Sequence, residues 1–103
     1  MKKLLFSTAL LLVFASVDAK AVNNDCTYKG KKLYGRIKIV TSFPDVKVKI
    51  VSSFPDVKVK QVQSFADRCG LWHVVDSFPD LKVQFVDSFP DITIKYVDSF
   101  PGL

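Results

Sequence analysis

A Ser-Phe pair recurs six times in this chain, at Ser42, Ser53, Ser64, Ser77, Ser88 and Ser99, each time with a valine two positions before it. The period is eleven residues, widened to thirteen between the third and fourth copies. Pro-Asp follows the pair except in the third copy, Ala66-Asp67, and the last, Pro101-Gly102. Fixed spacing of this kind means one structural unit used repeatedly, so the fold must place six equivalent corners.

Between the corners the residues alternate, as in Val46-Lys47-Val48-Lys49-Ile50, Leu81-Lys82-Val83-Gln84-Phe85 and Ile92-Thr93-Ile94-Lys95-Tyr96. Period two with β-branched residues predicts strands with one buried and one wet face. Leu33 to Ile39 reads as a further strand before the first full unit, and no helical periodicity follows residue 21. Proline fixes φ and lacks a donor, and aspartate bonds nearby backbone N–H groups, so Pro-Asp predicts a tight turn. Ser and Asp three apart also suit a single helical turn bracketed as in a capping box. Phe43, Phe54, Phe65, Phe78, Phe89 and Phe100 recur at identical places, which predicts a phenylalanine ladder in the core. The pattern leaves three arrangements open: an antiparallel meander, a small barrel, or a winding path in which strands of the two halves interleave.

Residues 1–21 read as a secretory signal, with Lys2 and Lys3 before an apolar run from Leu4 to Ala15 and small residues at the cleavage site. That run is too short to span a membrane. The expectation is therefore a secreted or periplasmic protein with one domain over residues 22–103. A domain of that size gains little from a single core, and covalent staples are common. An oxidising compartment favours pairing of the chain's two cysteines, Cys26 and Cys69. Their loop would contribute on the order of 4 kcal/mol through the entropy of the unfolded chain. A redox pair or zinc shell fits poorly, since there is no Cys-x-x-Cys and only one histidine.

Charge is segregated. From Val22 to Val62 there are nine Lys or Arg against three Asp, and from Gln63 to Leu103 three against six. The favoured reading is internal, with a basic first half lying against an acidic second half. The alternative is an anion-binding face formed by Lys29, Lys31, Lys32, Lys47, Lys49, Lys58 and Lys60. A plainer role for such lysines is to keep strand edges from pairing between molecules.

The stock of catalytic groups is thin: His73 is the one histidine, and the chain has no glutamate. Asp76 and Ser77 lie near His73, but Ser77 is the repeat serine and no nucleophile elbow surrounds it. Asp76, Asp87 and Asp98 have no turn role of their own, yet no Asp-x-Asp-x-Asp-Gly loop accompanies them to bind calcium. No enzyme activity, metal or cofactor is expected. Nucleic acid is disfavoured as a partner because aromatic residues do not interleave with the lysines along the sequence. Trp72 and Tyr34 serve equally well as core or as recognition residues.

Tyr28-Lys29-Gly30-Lys31-Lys32-Leu33-Tyr34-Gly35, the Val-x-Ser-Phe-Pro-Asp repeats, the central Asp67-Arg68-Cys69-Gly70-Leu71-Trp72 and the terminal Val97-Asp98-Ser99-Phe100-Pro101-Gly102 resemble the 7(1) septoil knot domain family. The resemblance covers nearly all of the chain after the signal. It implies a small all-β domain built from repeats, whose backbone forms a seven-crossing torus knot with Ser-Phe-Pro-Asp turns between strands. It implies no established activity and no particular partner. One departure is Ala66, which replaces the corner proline and predicts a different third turn. Taken together, the residues predict an exported, monomeric, non-enzymatic structural or interaction domain of compact build. The alternative is a module that binds envelope glycans, phospholipids or lipopolysaccharide through its lysines.

Overall fold

A computed structural model describes residues 21–103, so the expected signal sequence lies outside the described residues except for Ala21. Among these residues every regular element is a strand. A short hairpin comes first, β1 (Thr27–Tyr28) and β2 (Lys31–Lys32), paired antiparallel. Its turn is Lys29-Gly30, at φ 50° and 83°, the left-handed pair that a two-residue hairpin demands.

Six strands then close into a barrel: β3 (Gly35–Ile39), β4 (Val46–Ile50), β5 (Val57–Gln61), β6 (Leu71–Val74), β7 (Leu81–Phe85) and β8 (Ile92–Tyr96). The order around the barrel is β3-β6-β5-β8-β4-β7, and all six pairings are parallel. Strands from the first half, β3 to β5, therefore alternate strictly with strands from the second, β6 to β8. Neither half contains a strand pair of its own. Of the arrangements the sequence left open, the small barrel and the interleaved winding path are adopted together, and the antiparallel meander is not.

The register is regular. The third inward-facing position of one strand lies beside the first of the next: Ile37 by Leu81, Val83 by Val46, Val48 by Ile92, Ile94 by Val57 and Trp72 by Gly35. With a stagger of two residues per step, the strands tilt by about 55° from the barrel axis, given the usual rise and strand spacing. The chain thus runs mostly around the barrel. Each repeat corner except the third carries it past one strand of the other half, and the third leads from β5 straight to its neighbour β6, always in the same direction, so the path overtakes its own start and continues.

The first and third positions of the strands fill the interior. Ile37, Val46, Val48, Val57, Val59, Leu81, Val83, Ile92 and Ile94 are buried, as the alternation predicted. Gly35 and Gly70 hold the first position at the start of each lap. Gly35 pairs with Trp72, whose indole is fully buried and donates its Nε1–H to the Leu33 carbonyl at 3.0 Å. Trp72 is thereby core. Leu33, Val22 and Cys26 join the same cluster, with Tyr34 packed against it. The Cys26–Cys69 disulfide forms, with Cα atoms 5.8 Å apart, and ties the N-terminal hairpin to the junction between laps.

Candidate functional site

The corners are the repeated feature, and their geometry follows from backbone hydrogen bonding. The N–H of each repeat valine except Val62 donates to the third residue of the strand that its corner crosses, and Val62 donates to Trp72 of the neighbouring β6. These bonds run from Val40 to Val83, Val51 to Ile94, Val62 to Trp72, Val75 to Ile37, Val86 to Val48 and Val97 to Val59, all at 2.8–2.9 Å. Five residues later four of the corners are fastened again, on the other edge of the same strand. Asp45, Asp56, Asp80 and Asp91 donate their own N–H to the second-position carbonyls of Lys82, Thr93, Arg36 and Lys47 at 2.8–3.0 Å. Their carboxylates accept the N–H of those same four residues at 2.8–2.9 Å.

Each aspartate is therefore a two-point clasp between halves of the chain, across 37 to 44 residues. The expected local turn bond and one-turn helix do not form, because the carboxylate is taken by the crossed strand. Pro101-Gly102 is the last clasp in another form: Gly102 N–H bonds the Lys58 carbonyl and Lys58 N–H bonds the Gly102 carbonyl, both at 2.8 Å. The third corner, with Ala66, has no such clasp. There Asp67 N–H bonds the Phe65 carbonyl instead.

The clasp geometry also explains the phenylalanines, which overturn the core expectation. Phe43, Phe54, Phe65, Phe78, Phe89 and Phe100 are 82–97% exposed. A corner that straddles a strand meets only that strand's backbone edges, and the strands' own side chains already fill the interior. All six sit at φ between 52° and 57°, the left-handed region that bulky residues avoid. In five of them the following proline disfavours the right-handed alternative, and Phe65 adopts the same φ ahead of Ala66. Six large apolar side chains are thus held outward in a conformation that costs stability. Such strain clusters at functional positions.

The lysines form the second feature. Outward strand positions carry Arg36, Lys38, Lys47, Lys49, Lys58, Lys60, Lys82 and Lys95, and no carboxylate occupies any of them. Charge pairing joins the halves at one ion pair among the described residues, Arg36–Asp80, and not through the strand lysines. Among the described residues the ion pairs are Lys31–Asp45 at 3.8 Å and Arg36–Asp80 at 3.3 Å, and neither involves Lys47, Lys49, Lys58 or Lys60. Nor do those lysines guard strand edges, since the closed barrel leaves none. Interleaving even sets like charges side by side in register, Lys38 by Lys82 and Lys58 by Lys95. Such pairs oppose stability. Lys38, Lys82 and Lys95 were outside the anion-binding set read from the sequence, because their neighbours belong to the other half. Lys29, Lys31 and Lys32 stand on the exposed hairpin, with Lys29 over Tyr28 and Lys32 over Tyr34 at 5.5 and 5.7 Å.

Asp80 has its carboxyl held below the usual aspartate range, chiefly by the Arg36 backbone N–H and then by the guanidinium. His73 is half-buried opposite Arg36 in the register, and Ser77 is exposed on its corner. Among the described residues no three His, Cys, Asp or Glu side chains gather as a metal site, and Asp76, Asp87 and Asp98 each stand exposed on a separate corner. No helix among those residues is long and apolar enough to cross a membrane.

A parallel six-stranded barrel whose two halves interleave, locked by corner clasps, defines a repeat-built wound domain. The family model of the 7(1) septoil knot domain matches residues 30–103, and the chain belongs to that family. A comparison with curated proteins finds no match.

Proposed function

We propose that this chain is an exported, non-enzymatic interaction scaffold whose contact points are the six corner phenylalanines. The observation that carries this reading is their combined exposure and strain: 82–97% exposed, all at positive φ. A residue kept in a costly conformation without packing benefit is explained by a use outside the fold. The rest of the molecule suits a rigid support. The disulfide, the clasps and the wound path oppose local opening, which favours persistence against proteases as a matter of rate. The leader read over residues 1–21 and the paired cysteines support a secreted or periplasmic location.

The test is retention of the purified oxidised protein on a phenyl matrix, compared with a variant carrying asparagine at all six corner positions. Retention of the native protein only, with both showing the same circular dichroism, is the expected result. Equal elution of the two folded proteins overturns the reading.

Anion binding is a second reading, favoured by the in-register lysine pairs Lys38–Lys82 and Lys58–Lys95. Like charges placed together at some cost to the barrel gain a purpose if a polyanion lies across them.

A further inference from the structure

The two surface features are coupled by the clasps. Along the sequence the lysines and phenylalanines lie apart, but every corner except the third is fastened two residues beyond its phenylalanine to the second residue of the crossed strand. For four corners that residue is basic: Phe43 is tied beside Lys82, Phe78 beside Arg36, Phe89 beside Lys47 and Phe100 beside Lys58. The molecule therefore repeats one module around its circumference, an outward apolar tip next to an outward cation. Interleaving of the halves creates it.

We infer that these modules bind the surface of an anionic lipid bilayer, the phenylalanine tips entering the interface while the adjacent cations meet headgroup phosphates. The inference rests on the scaffold reading above and names its partner. Three observations favour a lipid surface. The tips are convex and separately mounted, so they suit a deformable apolar layer better than a shaped pocket. Each tip has its cation beside it, the arrangement by which interfacial proteins combine apolar burial with attraction to acidic headgroups. The outward strand positions carry cations and no carboxylate, which supplies charge complementarity to such a surface. A single-stranded nucleic acid needs aromatic faces lining a groove. Here Phe100 borders an open surface depression with Arg68, Cys69, Pro101, Gly102 and Leu103, not a groove lined by aromatic faces.

The experiment is co-sedimentation of the oxidised protein with vesicles of phosphatidylcholine alone and of equal parts phosphatidylcholine and phosphatidylglycerol. Binding is expected only to the mixed vesicles and to weaken as salt rises. The variant Phe43→Asn with Phe89→Asn, and separately Lys47→Gln with Lys82→Gln, is each expected to bind on the order of tenfold more weakly, the latter following the usual contribution per lysine near an acidic membrane. Equal binding to both vesicle types, or loss with neither variant, overturns the inference. So does binding to an oligothymidylate with the same dependence on both variants, or self-association without vesicles that the phenylalanine variant abolishes. Retention on the phenyl matrix without vesicle binding leaves the scaffold standing and refutes the lipid surface alone.

Discussion

Replacing Phe54 with glycine should stabilise the protein, although it removes an aromatic residue. Phe54 is 97% exposed, so almost no burial is lost with its side chain. Its φ of 53° lies in the left-handed region, where an L-residue bears about 1–2 kcal/mol of backbone strain. Glycine removes that strain but enlarges the freedom of the unfolded chain, which costs about 0.5–1 kcal/mol. The net expectation is a gain of about 0.5–1 kcal/mol, or a melting temperature higher by about 2–8 °C for a domain this small. Phe54→Ala keeps the strain and serves as the control, expected within about 0.5 kcal/mol of the native protein. Thermal and urea unfolding of the three oxidised proteins measure this directly. A fall of several degrees for both variants would refute the reasoning, because it would mean that the ring packs against the fold.

Asp91→Ala removes the carboxylate that accepts the Lys47 N–H at 2.8 Å while leaving the main-chain bond, and urea unfolding should show a loss of about 1.5–3 kcal/mol. Gly70→Ala drives a Cβ into the Lys58 carbonyl oxygen and to 2.6 Å from the Gly102 nitrogen, at a φ of 86°. It should unseat the C-terminal clasp, seen as faster hydrogen exchange at the Lys58 amide while the Lys47 amide stays protected. The double variant Cys26→Ser, Cys69→Ser should lose about 4 kcal/mol in denaturant titration, given a separation of 43 residues. Asp80 is bound more firmly as a carboxylate in the folded state, so its contribution is complete above the unfolded aspartate pKa and fades as pH falls through its lower folded value. Asp80→Asn should therefore reduce the slope of stability against pH below about 4, with unchanged slope near neutrality.

What was legible in the sequence was whatever depends on a residue's immediate neighbours. Val46 and Val48, or Ile92 and Ile94, announce an inward face through alternation alone, and both pairs are buried. The corners were equally visible at their Phe-Pro-Asp segments. The phenylalanines were misread because hydrophobicity predicts burial only where apolar surface is available. A corner crossing a strand offers its side chains backbone edges on one side and water on the other. Aspartate was read as a local turn former because the carbonyl and N–H it serves, on Arg36 or Lys47, lie 44 residues away. The cation beside each tip was invisible for the same reason, since Lys82 becomes a neighbour of Phe43 only after the second half has passed the first. A signal was present nonetheless: the second position of four later or earlier strands is basic wherever its matching corner ends in Pro-Asp or Pro-Gly, except at Thr93.

The interleaving also determines which parts of the chain can exist alone. In an ordinary repeat protein each unit rests on the next, and a half-length fragment retains its internal contacts. Here β3, β4 and β5 have no pairing among themselves, and neither do β6, β7 and β8. Each half by itself would leave both edges of every strand without partners, a state that water or aggregation must satisfy. Apart from β5 with β6, where Lys60 pairs with Leu71 close by in the chain, every barrel pairing joins distant residues, and that loop closure must be met before those strand pairs form, which makes folding slow. The clasps act late, because an Asp45 carboxylate has nothing to accept from until the start of β7 lies beneath its corner. Gly102 comes last of all, closing onto Lys58 only one residue from the C-terminus, in the space that Gly70 leaves open. The disulfide holds the opposite end, at Cys26, against the junction between the two laps. Among the described residues the wound path is thus fastened near each of its two ends, at Cys26 and at Gly102. That rigidity is what allows six strained aromatic corners to be carried outward without the fold giving way beneath them.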